Sequence, residues 1–384
     1  MQLNLFEEVK RKKKQDLSSK FLLLRDNIML QEQRKILSSW TEGFEDRDNK
    51  IVDEFQKNFN SSFWEFYLYA IFNKLGFEID MTKEMPDFII KKPFEFYVEA
   101  VIPNIKINGR PESERKIEET LGGLYPIHKQ DDFEEIIDEA IIRQASAIKS
   151  KNEKFTNVYQ EKEWVKANAP FVIAEGSFDQ VNYWKEFYYP MMALLYDYYY
   201  NRKTEGFMKR GVIIKPDTGG EIQLGIFNDK SHEHISAIIF SCTLTLGKLT
   251  ALAIVQNSVG LHNLNRVLNI RHDMDWPHFK VQEVSADNPE ELIDGVFIFH
   301  NPNAKNKLPL SVFSDSGAVQ VYVENGGIKF DATSLPLVAR INTSSFFLGS
   351  DPMEIIKEIS DNYNGEISFS DIEFLKELLD KEVL

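Results

Sequence analysis

Residues 62–101, SFWEFYLYAIFNKLGFEIDMTKEMPDFIIKKPFEFYVEAV, constrain the fold more than any other stretch of this chain. Residues 63–75 carry apolar side chains on nearly every side, so a helix here has no solvent face and lies largely buried. Ser62 suits the N-cap, and Gly76 suits the position that ends a helix. Residues 77–80 alternate as a short first strand, Pro86-Asp87 breaks the chain, and residues 88–90 form a short apolar strand. Lys91-Lys92-Pro93 is a turn, after which residues 94–102 alternate at the period of a strand. Phe94, Phe96, Val98 and Ala100 share one face, and Glu95, Tyr97, Glu99 and Val101 share the other.

Three carboxylates in this stretch are hard to explain as surface decoration. Glu99 lies between Val98 and Ala100 in a run ending in Val-Ile-Pro, where a charge is costly unless paired or bound to a cation. Asp87 and Glu99 sit on adjacent strands of a hairpin and can converge. Their mutual repulsion makes them a site for a hard cation, Mg²⁺ or Mn²⁺, which prefers oxygen ligands. Glu65 has two readings. Ser62-Phe63-Trp64-Glu65 is a capping box, in which Glu65 caps its own helix; alternatively, a carboxylate on a helix packed against a sheet points at a site.

Residues 132–155 form a long amphipathic helix, with Phe133, Ile137, Ile141, Gln144, Ile148 and Phe155 at helical spacing. Gln144 interrupts this apolar stripe, and an inward-facing amide needs a partner. Residues 169–175 read as a buried strand, parallel to one strand of the hairpin.

A glutamate on a helix, a Pro-Asp and a strand ending in Val-Glu-Ala resemble the PD-(D/E)XK nuclease superfamily, with matching positions Glu65, Pro86-Asp87 and Glu99-Ala100-Val101. The chain is also similar to a bacterial group with an aromatic-Val-Glu-Ala-Val/Ile-Pro strand and a later His-Asn-Pro-x-Ala motif, here His300-Asn301-Pro302-Asn303-Ala304. The resemblance covers residues 60–175. It implies an α/β fold with a restriction-endonuclease-like core of helix, three strands, helix and strand. The resemblance also implies an Mg²⁺-dependent endonuclease acting on DNA, with RNA as the second choice. In that scheme Asp87 and Glu99, helped by the carbonyl of Ala100, hold Mg²⁺ or Mn²⁺, and Glu65 hydrogen-bonds the metal's water or touches a second metal. Gln144 completes the site by orienting the nucleophile; the alternative is a satisfied buried amide. One position departs from the pattern. The superfamily's lysine belongs two residues after the glutamate, where this chain has Val101, which can neither orient water nor neutralise a phosphorane. Either the lysine's role has moved or the protein no longer cuts. Lys149 lies off the helix stripe, and Lys151 lies two turns beyond Gln144, roughly 10 Å along the axis.

The remaining chain divides into a helical N-terminal segment over residues 1–55, the core over 56–180, an α+β extension over 181–350 and an acidic helical tail over 351–384. The run Lys10–Lys14 is a solvated helix face or a phosphate-contacting arm, and the loop 103–130 is a binding or lid segment or is disordered. The aromatic-rich residues 178–202 would suit base stacking if exposed, but at helical spacing they read as core. Further strands are expected at 211–215, 222–227, 235–241, 249–255 and 295–300, with helices beginning at Asp351-Pro352 and spanning 371–383.

A net charge of −15 over 384 residues argues against coating nucleic acid through the overall field, although a local basic cleft is compatible with it. The single cysteine, Cys242, excludes an intrachain disulfide and suits a reducing cytoplasm. No apolar run approaches a membrane span, and the N-terminus lacks a signal-peptide core, so no membrane partner is expected. Oligomeric state stays open, a homodimer included. Asp217-Thr218-Gly219 and Asp315-Ser316-Gly317 mimic aspartic-protease loops but read as ordinary turns, Gly247-Lys248-Leu249 is not a phosphate loop, and His232 and His234 are too isolated for zinc. Two rivals to the nuclease remain: a catalytically degenerate nucleic-acid-binding module on the same fold, and an acidic interaction or scaffold protein.

Overall fold

The structure, a computed structural model, describes residues 3–7, 16–47, 49–116, 126–257, 259–272, 279–344, 361 and 366–368. Three helices, α1 (Ser19–Asp26), α2 (Gln31–Trp40) and α3 (Ile51–Lys57), lead into α4 (Phe59–Lys74), which buries aromatic and aliphatic side chains around its circumference. Rings hold these helices together: Trp40 stacks on Phe63 at 5.6 Å, and Phe55 meets Phe21 at 5.7 Å and Phe59 at 5.0 Å. Because Phe59 is drawn into this aromatic cluster, α4 starts three residues before Ser62. Ser62 is therefore buried inside the helix, the expected capping box does not form, and Glu65 is not tied up as a cap. Gly76 ends the helix as expected, at φ +72°, a conformation that costs glycine little.

The chain then builds a sheet. Strands β1 (Glu78–Asp80), β2 (Phe88–Lys92) and β3 (Phe96–Val101) form an antiparallel meander, α5 (Phe133–Asn157) crosses over, and β4 (Phe171–Gly176) pairs parallel with β3. The element order is thus helix, three strands, helix, strand. Phe96, Val98 and Ala100 pack into the core with α4, while Tyr97 and Ile173 pack into the core with α5. By the strand period, Glu99 belongs to the α5 face.

Two small hairpins follow, β5 (Tyr199–Asn201) with β6 (Gly206–Met208) and β7 (Val212–Ile214) with β8 (Glu221–Gln223). Then come β9 (Ile235–Ser241), β10 (Asn265–His272), β11 (Phe279–Glu283), β12 (Phe297–His300), β13 (Val319–Glu324), β14 (Gly327–Asp331), β15 (Leu337–Ser344) and β16 (Glu366–Ser368). The main sheet has eight strands in the order β1-β2-β3-β4-β9-β12-β13-β14, so the C-terminal half extends the same sheet. Its strands are mixed: β4 and β9 run parallel, β9 and β12 antiparallel. The molecule is therefore mixed α/β around one large mixed sheet, with a second, four-stranded sheet in the order β15-β10-β11-β16.

Several expectations shift. Residues 249–255 lie inside helix α7 (Leu246–Gln256), because a fully buried helix has the same continuous apolar run as a buried strand. The strand expected over 222–227 stops at Gln223; Ile226 and Phe227 instead donate backbone N–H groups to the carbonyls of Leu194 and Leu195 in helix α6 (Tyr189–Tyr196). Tyr183, Trp184, Phe187, Tyr188, Tyr189, Tyr196, Tyr199 and Tyr200 are buried, in line with the core reading of this aromatic run. In the His-Asn-Pro segment, Asn301 Nδ2 donates to the carbonyls of His232 and Ile235, tying the end of β12 to the start of β9. Lys10–Lys14, the part of the 103–130 loop at 117–125, and the expected helices at 351 and 371–383 lie outside the described residues. Among the described residues no helix is long and apolar enough to cross a membrane.

Trp64 joins α4 to the sheet, its indole N–H donating to Ala174 O at 2.9 Å while the ring is wholly buried. Trp64→Ala should lower unfolding free energy by about 3–5 kcal/mol in urea titrations, against less than about 0.5 kcal/mol for Ile107→Ala at an exposed position.

Candidate functional site

The acids are placed by a pinned loop. Arg47 donates through Nη1 to Lys83 O and, at 3.5 Å, to Pro86 O, and through Nη2 to Asp87 O at 3.3 Å. Trp164 Nε1 donates to Met85 O at 2.9 Å. Residues 83–87 are thereby fixed from two sides, and Asp87 enters β2 opposite β3. Asp87 Oδ2 accepts the Ala100 N–H at 2.7 Å. The register that pairs Phe88 with Val98 brings Asp87 beside Glu99.

Glu99 is 1% exposed and fully engaged. Its Oε1 accepts from Lys151 Nζ at 2.7 Å and Lys154 Nζ at 2.9 Å, and its Oε2 accepts from the Tyr159 hydroxyl at 2.6 Å. Burial by itself raises the carboxyl's pKa. Lys151, Tyr159 and Lys154 overcome it, so Glu99 lies below the usual glutamate value and stays ionised. The same charge acts on its neighbours. Asp87 is pushed up to about 6, first by burial and then by Glu99, with Lys151, the Ala100 N–H and Lys154 opposing. Glu65 is pushed up to about 8 by burial and by Asp87; Arg47 opposes, while Glu54 and Glu99 add to the rise.

Glu65 from α4, Asp87 from the residue before β2 and Glu99 from β3 act on one another electrostatically. Gln144 does not join it. It is wholly buried, and its Nε2 donates to Glu186 Oε2 at 3.4 Å. Glu186 also accepts from Arg143, from Ser177 Oγ at 2.6 Å and from Gln180 Nε2 at 2.5 Å. Gln144 is thus a buried amide only half satisfied, because its Oε1 has no hydrogen-bond partner among the described residues. The two-turn spacing puts Gln144 on the same face as Lys151 but roughly 10 Å away along α5, and where α5 crosses β3 only the lysine reaches the acids. Lys149 sits on an exposed face, 3.9 Å from Glu153. Lys151 and Lys154 are the cations that reach Glu99.

Sequence reasoning missed Lys154, Tyr159 and Arg47. The spacing of Lys151 and Lys154, three apart on one helix face, was a signal for the first. Tyr159 follows the end of α5, and Arg47 lies in an acidic stretch, so neither had a periodic cue. The oxygens that the sequence assigned to a hard cation are those of the Asp87 and Glu99 carboxylates and the Ala100 carbonyl; both Glu99 oxygens and Asp87 Oδ2 already accept hydrogen bonds within the protein. Among the described residues no group of three or more His, Cys, Asp or Glu side chains is arranged around a metal-sized centre. Comparison of the chain with protein-family models, with curated proteins and with solved structures found no match.

The raised pKa of Glu65 has a sign that can be measured. The folded state binds a proton there that the unfolded chain releases near pH 4.5, so this carboxyl's contribution to stability is full below 4.5 and is lost as pH rises to about 8. Glu65→Gln removes the dependence. The stability of Glu65→Gln relative to wild type should grow between pH 5 and pH 8, at up to about 1.4 kcal/mol per pH unit. Urea titrations at both pH values check this; a difference that does not change with pH contradicts the account of Glu65.

Proposed function

We propose that this chain is a metal-dependent nuclease with a restriction-endonuclease-like core, hydrolysing phosphodiester bonds in DNA, with RNA as the less favoured alternative to DNA. The observation that carries the reading is the ionised Glu99 beside Asp87 with the Lys151 ammonium 2.7 Å from it. An acid pair and a lysine stand together on the element order helix, three strands, helix, strand, although Val101 occupies the expected lysine position. The lysine comes from α5 instead.

The donor set fits a hard divalent cation: Asp87, Glu99 and the Ala100 carbonyl would hold Mg²⁺ or Mn²⁺, and the ion would bring the positive charge that Asp87 and Glu65 lack. Once bound, such an ion polarises a phosphate and lowers the pKa of its water. The chain's own side chains do the rest. The Ala100 N–H fixes the Asp87 carboxylate in place. Lys151 sets a positive charge at the acid pair, where charge develops on a phosphorane. Glu65, with a pKa of about 8, holds a proton at neutral pH and can exchange it with a nearby water. Arg47 keeps the Pro-Asp loop from shifting as charge changes around it.

A second reading, a non-cutting nucleic-acid-binding module, is favoured by one observation. Both Glu99 oxygens are already bonded, so a cation has to compete with Lys151 and Lys154.

Nicking of supercoiled plasmid in Mn²⁺ separates the two. Wild type should nick, Lys151→Ala should be slower by about 100-fold or more, and Lys149→Ala should match wild type. Wild-type activity with Lys151→Ala as fast would overturn the role of Lys151, and an inactive, folded wild type would favour the binding module.

A further inference from the structure

A cavity of about 480 Å³ opens where the N-terminus of α7, strand β15, helix α1 and residues 112–115 meet. Its volume is that of a small-molecule site. Its walls are unusual for a chain of net charge −15, because three cations, Lys20, Arg115 and Arg340, line it. Two of them have carboxylate partners: Lys20 pairs with Glu112 at 2.9 Å, and Arg340 is clasped by Glu290. Arg115 has no carboxylate partner among the described residues. Its guanidinium lies over the Tyr183 ring at 5.1 Å, a contact that supports the fork without neutralising it.

Two further features favour an anion here. Helix α7 has eleven residues, and its N-terminal turn, capped by Thr245 Oγ1 on Gly247 N at 3.2 Å, forms part of the wall, so the positive end of the helix faces this space. Gly247 keeps Arg340 tight against that end: a Cβ there would lie 3.1 Å from Arg340 Cδ. Trp184 is an independent observation. It lines the cavity, it is 5% exposed, and its indole N–H has no acceptor among the described residues. A buried donor without a partner is rare, because it forfeits the hydrogen bond it would make in water.

We propose that this cavity seats the phosphate group of a phosphate ester, with the Arg115 guanidinium and the Trp184 indole N–H as its donors and the positive end of α7 facing it. A tetrahedral oxyanion uses donors from several directions at once, whereas a carboxylate presents two oxygens in one plane. The rest of the ligand fills the remaining volume. The phosphate can come from a free nucleotide or from the backbone of a nucleic-acid strand. A second hollow shares Ser19, Lys20, Glu112 and Ser113 with this one and reaches Ile102 and Pro103, which follow β3. A strand seated at Arg115 would thus lead toward the end of β3 beside Glu99. Only the strand source rests on the nuclease reading; the phosphate seat does not.

The test is calorimetric titration of the full chain at low ionic strength in EDTA, with inorganic phosphate, adenosine monophosphate, a ten-nucleotide single-stranded DNA and acetate. EDTA removes any contribution from divalent ions, so the outcome is separate from that of the nicking assay. Wild type should bind at least one phosphate-bearing probe and not acetate, and Arg115→Ala should weaken that binding at least tenfold. Thermal melting verifies that the variant folds, and Arg115→Gln serves in its place if it does not. Binding of the mononucleotide identifies a free ligand, and binding of the oligonucleotide alone identifies a strand; both support the seat. No binding of any phosphate-bearing probe at millimolar concentration, equal affinity in the Arg115 variants, or acetate binding as tightly as phosphate would overturn it.

Discussion

Glu99 is a carboxylate buried in the middle of a sheet face, and three donors from α5 and the turn after it keep it ionised. Burying an ion is costly unless the geometry of its partners is good, and removing one partner of such a group costs more than the pair contributes. This cluster therefore fixes the C-terminal half of α5 against β3. It also sets the protonation of everything nearby. Lys151 and Lys154 both act on Glu99, and Asp87 gets only their more distant field, so Asp87 is pushed up to about 6 and Glu65 to about 8. Near neutral pH the cluster holds one firmly ionised acid, Glu99, one carboxyl that keeps its proton, Glu65, and one, Asp87, that titrates just below neutrality.

The sheet makes that convergence rigid. Strands β3 and β4 run parallel and are buried on both faces, α4 covering one and α5 the other. Glu65 approaches from the helix on one face, Lys151 and Lys154 from the helix on the opposite face, and Asp87 from the loop held by Arg47 and Trp164. The C-terminal strands protect the arrangement. By pairing with β4, β9 keeps that strand from being an exposed edge, and β12, β13 and β14 carry the sheet on.

Much of this was legible because it is periodic. The unbroken apolar surface of α4, the alternation in β3 and the stripe on α5 located the elements, and an acid inside an apolar strand marked Glu99. What was not legible depends on tertiary placement. The start of α4 moved from Ser62 to Phe59 because Phe59 has Phe55 to pack against, a contact that no local pattern encodes. Residues 249–255 looked like a strand because burial erases the difference in period. Gln144 and Lys151 lie on the same helix, and only the way α5 crosses β3 decides that the lysine meets the acids while the amide meets Glu186. Arg47 acts through backbone carbonyls nearly forty residues away, which leaves no trace in either segment.

The claim on which the account depends is that Asp87 and Glu99 form a cation site. Calorimetric titration of Mn²⁺ into wild type and Asp87→Asn tests it most directly. The account predicts saturable Mn²⁺ binding by wild type, with proton release seen as a dependence of the heat on buffer, and its loss in a folded Asp87→Asn variant. Mn²⁺ binding that is absent from wild type, or unchanged in Asp87→Asn, would contradict it.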